Sequence, residues 1–103
     1  MSDYRVDRQR WNAMTIFEQM GKIGSEVGRT LKAQKANEDW QPALTRALDL
    51  FDATTEELTT QKSPRLREVL RAKEQFVSSV YGRPDSKIED YFTQFAIAAR
   101  LTR

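Results

Sequence analysis

Apolar residues recur along the chain every three or four positions, the spacing that places side chains on one face of an α-helix. The clearest stripe consists of Ile16, Met20, Ile23, Val27 and Leu31. Just before it, Thr15 and Glu18 have the spacing of a capping box, in which each side chain bonds an amide that the opening turn leaves free. We therefore predict a first helix over about residues 15–35. The upstream segment with Trp11 and Met14 either extends this helix or folds over its end.

A second helix is predicted over about residues 39–60. Asn37 or Asp39 is its expected cap, and Pro42 is tolerated because amides of the first turn have no acceptor within the helix. Its predicted core stripe is Trp40, Leu44, Ala47, Phe51, Thr54 and Leu58.

A third helix is predicted over about residues 64–81. Ser63 followed by Pro64 is a typical cap and first helical residue, and Gly82 is a typical helix end. Its expected core residues are Leu66, Val69, Leu70, Phe76, Val77 and Val80.

The last helix, over about residues 86–101, opens with a second capping-box pair, Ser86 and Glu89. Its core face carries Ile88, Tyr91, Phe92, Phe95 and Ala99. Four such helices with short connections run antiparallel to their neighbours in sequence. We therefore predict an all-α protein, an antiparallel up-down-up-down four-helix bundle that forms a single domain over residues 1–103.

The composition excludes several kinds of chemistry. The chain has no cysteine and no histidine, which removes thiolate chemistry and the commonest general base and metal ligand. Asp49, Asp52 and Glu56 approach an acidic magnesium motif, but the second motif such sites need is missing, so we interpret them as a solvated acidic face. We expect no catalytic residue, no cofactor and no metal. With no long apolar window and no signal-peptide pattern, we also expect a cytoplasmic protein without a membrane partner.

Charge is divided unevenly between the second and third helices. Residues 37–61 contain one base and six acids, a net charge of −5, whereas residues 62–82 contain five bases and two acids, a net charge of +3. The five bases are Lys62, Arg65, Arg67, Arg71 and Lys73. Either they contact phosphates, as in a basic accessory protein that binds nucleic acid, or they face the acids of the second helix.

The first helix also contains three glycines, although each costs about 1 kcal/mol relative to alanine. Gly21, Gly24 and Gly28, with Ser25 and Phe17, form a face beside the apolar stripe. That face either packs tightly inside the bundle or contacts a second subunit. Ile97 and Leu101 add apolar residues to the outer side of the last helix. The favoured function is therefore a non-enzymatic protein–protein interaction module that self-associates through these residues, most simply as a homodimer, with any other protein partner unknown.

Two segments resemble a family of small bacterial helical proteins of unknown function. The first carries Trp11, Glu18, Gln19, Ile23, Gly24, Ser25, Glu26, Val27 and Arg29, and the second is the tail YFTQFAIAAR from Tyr91 to Arg100. The resemblance covers about a third of the chain. It implies a helical fold and brings with it no activity, cofactor or partner.

Overall fold

The computed structural model describes residues 6–82 and 87–101. Five helices follow in order: α1 (Arg8–Asn12), α2 (Ile16–Lys35), α3 (Gln41–Thr60), α4 (Leu66–Tyr81) and α5 (Lys87–Leu101). The described residues contain no strand, so the all-α prediction is confirmed, with one helix more than the four expected. The four long helices begin and end within two residues of their predicted bounds. None of the described helices is long and apolar enough to cross a membrane.

The additional helix is the short α1, which folds across the bundle instead of extending α2. The Asp7 side chain caps it by accepting from the amides of Gln9 and Arg10. Trp11 is buried, and the Arg8 side chain contacts α3. Of the two alternatives for this segment, the structure therefore shows the folded one.

The start of α2 agrees with the predicted capping box. Thr15 Oγ1 accepts from the Glu18 amide at 3.1 Å, and Glu18 Oε1 accepts from the Thr15 amide at 3.0 Å. The predicted cap of the second helix is wrong. Its N-cap is Trp40, without a side-chain capping bond, because Asn37 adopts a left-handed φ of 59° just after α2 and Asp39 bonds only the Gln41 amide.

The bounds of α4 differ from the prediction only at its start. Ser63 and Pro64 form a turn before the helix, with Ser63 Oγ accepting from the Arg65 amide at 3.2 Å. The helix therefore starts two residues later than expected, at Leu66. Gly82 ends it as predicted, and a Cβ added there would lie 2.8 Å from the Ser78 carbonyl oxygen. The predicted cap Ser86 lies outside the described residues.

The core lies between the four long helices. Helices α2 and α3 run in opposite directions, since Gln19 bonds Thr54 whereas Glu26, seven residues later, bonds Arg46. Phe51 of α3 lies at the centre. The apolar residues that are at most 2% exposed are Trp11, Met20, Ile23, Val27, Ala47, Phe51, Ala53, Ala72, Phe76, Ile88 and Phe92. Most predicted core positions are thus buried.

A closed ring of buried hydrogen bonds joins α1, α2 and α3. Trp11 Nε1 donates to Thr54 Oγ1, and Thr54 Oγ1 donates to Gln19 Oε1, both at 2.9 Å. Gln19 Nε2 completes the ring by donating to the Trp11 carbonyl at 2.9 Å. Because a buried polar group without a partner is costly, the ring fixes the position of the Trp11 side chain.

We expect the substitution Thr54→Val to destabilise the protein by about 2–6 kcal/mol. Valine keeps the shape of threonine but leaves the Trp11 indole N–H and the Gln19 carbonyl without their buried partner, at about 1–3 kcal/mol each. Thr59→Val is the matched control, because Thr59 lies exposed on the same helix and its loss should stay within about 0.5 kcal/mol. Urea denaturation followed by circular dichroism measures both; equal effects would contradict the role of the ring.

Candidate interaction surface

The glycine-bearing face of α2 is covered by α5 of the same chain. A Cβ added to Gly24 would lie 2.6 Å from the Phe92 Cβ, a separation that side chains do not reach. One helical turn further along α5, the ring of Phe95 stacks on Phe17, with 6.5 Å between centroids. Gly24 and Phe17 therefore form a close contact inside the chain. Of the two alternatives for this face, packing inside the bundle is the one that these two residues show.

The other residues of the predicted interface are not gathered on that contact. Ser25 is exposed and its hydroxyl donates to the Gly21 carbonyl at 3.3 Å, and no atom lies within 4 Å of a Cβ added to Gly28. Ile97 and Leu101 are 46% and 80% exposed, as expected for the outer side of α5. The structure thus places Phe17 and Gly24 under α5, Ser25 and Gly28 outside that contact on α2, and Ile97 and Leu101 on the outer side of α5.

We expect Gly24→Ala and Gly28→Ala to change stability in opposite directions. The alanine at position 24 would displace Phe92, at a cost of about 1–3 kcal/mol. At position 28 the methyl group enters open space, so the better helix propensity of alanine should add about 0.5–1 kcal/mol. Thermal denaturation of the two variants tests this pair, and a stabilised Gly24→Ala variant would show that α5 does not lie so close to α2.

The five bases predicted as one strip are separated in the structure. Lys73 Nζ lies 2.9 Å from Asp52 Oδ1 of α3, so this base pairs with the acidic helix. The guanidinium of Arg65 lies 5.6 Å from the centroid of the Phe17 ring. Lys62 lies in the α3–α4 connection with a left-handed φ of 52°. Only Arg67 and Arg71 remain as exposed bases on one side of α4.

Helix α4 carries two apolar stripes, and the fold buries one of them fully and the other only in part. Val69, Ala72, Phe76 and Val80 are buried in the core. The second stripe consists of Leu66, Leu70, Val77 and Tyr81, at spacings of four, seven and four residues. In the second stripe, Leu66 and Val77 are half-buried, and Leu66 packs against the core. Leu70 is 46% exposed and Tyr81 is 69% exposed, so the expectation that Leu70 belongs to the core is wrong. The core leaves this side of the helix outside because α3 and α5 contact the other faces of α4.

Charged residues border the second stripe. Leu66, Arg67, Leu70, Arg71 and Glu74 line one shallow depression. We call the second stripe together with Arg67, Arg71 and Glu74 the α4 surface. Its apolar spacing is visible in the sequence, but which of the two stripes faces the core depends on the neighbouring helices. Among the described residues, Arg67 and Glu74 have no ion-pair partner within the chain.

The opposite side of α4 is held against α5. Tyr91 Oη donates to Glu68 Oε1 at 2.9 Å. Burial, and secondarily the Glu68 carboxylate, raise the pKa of the Tyr91 phenol far above its usual range, so the phenol remains a donor at ordinary pH. This bond joins the side of α4 that lies away from the α4 surface to α5.

The acidic residues of α3 are used within the fold. Arg8 Nε lies 3.0 Å from Glu56 Oε2, Asp49 Oδ2 accepts from the Val6 amide at 2.7 Å, and Asp52 pairs with Lys73. Within residues 6–82 and 87–101, no group of three or more acidic side chains is arranged to hold a metal ion.

A second concave region lies between α1, α2 and α3. It encloses about 470 Å³, and its lining includes Trp11, Lys22, Glu26 and Arg29. The nearly buried Glu26 carboxylate pairs there with Arg29 of α2 and Arg46 of α3. Since its charge is compensated from both sides, Glu26 joins two helices, and this region offers no free buried polar group.

Comparison with known proteins adds no relative: no family model, no curated protein and no solved structure matches this chain.

Proposed function

We propose that this chain is a non-enzymatic protein–protein interaction module that self-associates, most simply as a homodimer, in the cytoplasm. Its four long helices form an up-down-up-down bundle in this proposal, with α1 folded against α3. The α4 surface is the single observation that carries the proposal. Continuous apolar stripes bordered by charged residues are typical of association surfaces, whereas isolated exposed apolar residues are common on any protein.

The geometry also explains why α4 rather than α2 supplies this surface. The glycine face of α2 is occupied by Phe92 and Phe95 of the same chain. On α4, by contrast, Leu70 is 46% exposed, and Tyr81 is 69% exposed with its ring in edge contact with Trp40. A helix needs only one apolar arc to pack in a monomer, yet Leu70, in the middle of the second stripe, is exposed. Ile97 and Leu101 of α5 form a smaller second candidate surface.

Light scattering on a sizing column tests self-association. At tens of micromolar, we expect the wild-type protein to have about twice the 12.0 kDa mass of one chain. Leu70→Ser should return it to the monomer mass without loss of helicity, because it removes the apolar centre of the α4 surface. Ile97→Ser is the matched control, since Ile97 has the same exposed fraction of 46% as Leu70. A wild-type protein that remains monomeric would contradict the proposal, and dissociation only by Ile97→Ser would transfer it to α5.

Binding of nucleic acid by the basic residues of α4 is the alternative. It is less well supported, because Lys73 pairs with Asp52 and Arg65 lies on Phe17. In addition, the exposed Arg67 and Arg71 have Glu74 beside them.

We therefore expect no salt-sensitive binding of short RNA or DNA in fluorescence polarisation at two salt concentrations. Proteins that neutralise several phosphates lose affinity steeply as salt rises, with a slope set by the number of contacts. Binding that weakens steeply with salt and is lost in an Arg67→Gln, Arg71→Gln double variant would favour the alternative over self-association. The same double change at the exposed Lys22 and Lys32 of α2 controls for total charge.

A further inference from the structure

We propose that the α4 surface binds the α4 helix of a second copy of this chain. The two helices run antiparallel and are related by a two-fold axis. Along the helix, this axis lies midway between Leu70 and Arg71. This inference rests on the proposed self-association. It specifies that the two α4 helices contact each other, that they run antiparallel, and which residues lie at the axis. The order of apolar and charged residues along α4 supports all three points.

The apolar residues of α4 match one another about this axis. Two-fold symmetry brings each residue level with the one equally far on the other side of the axis, and the helix rises 1.5 Å per residue. Leu70 then lies within about 1.5 Å, along the helix, of Leu70 of the second copy. Leu66 and the second copy's Val77 lie at nearly the same level, with an offset of about 3 Å along the helix axis. The exposed leucine is therefore at the centre of the contact.

Two of the three charges on the α4 surface, those of Arg67 and Glu74, match about the same axis. Arg67 and Glu74 are seven residues apart, almost two full helical turns, so both lie on the same flank of the apolar stripe. A two-fold axis perpendicular to the helices brings each flank against the same flank of the second copy. Arg67 is then level with Glu74 of the second copy, and the reverse pair forms by symmetry. Neither residue pairs within the described part of its own chain, so both are available.

A separate foreign helix explains these observations less well. The α4 surface has both signs of charge, with Arg67 and Glu74 placed symmetrically about Leu70 to within one residue. In an isologous interface the same patch of both copies meets itself. Arg67 of one copy can then pair with Glu74 of the other, and the α4 surface therefore suits this kind of interface. If all charged residues beside the apolar stripe had the same sign, they would instead indicate a partner of opposite charge.

A charge-exchange series tests the pairing. Arg67→Glu and Glu74→Arg each place like charges opposite one another twice per dimer. We expect each single variant to raise the dimer Kd about tenfold, or about 1.4 kcal/mol. The double variant exchanges both signs and should return to within about threefold of the wild type. Lys22→Glu and Glu38→Arg make the same charge changes at exposed positions outside α4 and should leave the Kd unchanged. Sedimentation equilibrium gives the constants, and circular dichroism verifies folding.

A cross-linking experiment tests the level of the axis independently. The chain contains no cysteine, so Leu70→Cys supplies one thiol per copy. Two such thiols close to the axis should form an intermolecular disulfide under mild oxidation, because disulfides need Cα atoms less than about 7 Å apart. Ile97→Cys, equally exposed on α5, should remain unlinked.

The outcomes separate this inference from the proposed function. A wild-type protein that is monomeric at every concentration overturns both. A dimer whose Kd is unaffected by the single charge reversals, or is not restored in the double variant, overturns the α4 pairing and leaves self-association standing. A dimer that cross-links through Ile97→Cys and not through Leu70→Cys also overturns the α4 pairing and leaves self-association standing. Capture of a different helical protein by a monomeric chain would replace the second copy with a foreign partner.

Discussion

Where α5 crosses α2, Gly24 provides the space of a missing side chain and Phe92 fills it. That approach allows Phe92 to reach Phe51 of α3, with ring centroids 5.9 Å apart, and Phe51 in turn stacks on Phe76 of α4 at 6.1 Å. One glycine therefore determines how three other helices meet. With α5 held close to α2, α4 buries Val69, Ala72, Phe76 and Val80 and leaves Leu70 exposed.

Polar contacts fix the order of the helices where apolar packing alone would tolerate sliding. The ring of hydrogen bonds through Thr54 and the Glu26 carboxylate between two arginines both join α2 to α3. A buried carboxylate adds little net stability relative to a well-packed apolar residue, but removing one of its partners is costly. Such groups therefore disfavour shifted packings more than they stabilise the correct one. In this chain they lie at two levels of the same helix pair.

The sequence predicted the helix bounds well because caps and end signals are local. The Thr15–Glu18 box and Gly82 act within one turn and need no distant neighbour. The errors concern properties that distant residues decide. Leu70 has the helical spacing of a core residue of α4, and only the positions of the neighbouring helices leave it 46% exposed. In the same way, the glycines of α2 indicated a close approach without revealing that Phe92 of the same chain makes it.

The exposed stripe has a physical cost, which bears on how its function is understood. Burying apolar area gains about 25 cal/mol per Å², so leaving Leu70 exposed, with Leu66 and Val77 only half-buried beside it, forgoes stability and invites non-specific association. Charges beside an apolar surface limit that association to partners with matching charges. On α4, Arg67 and Glu74 supply both signs, so a helix with like charge at either level is disfavoured. The same two residues that would hold the second copy in register would thus also exclude other partners, and positive charge along α4 can serve protein pairing without any contact to phosphate.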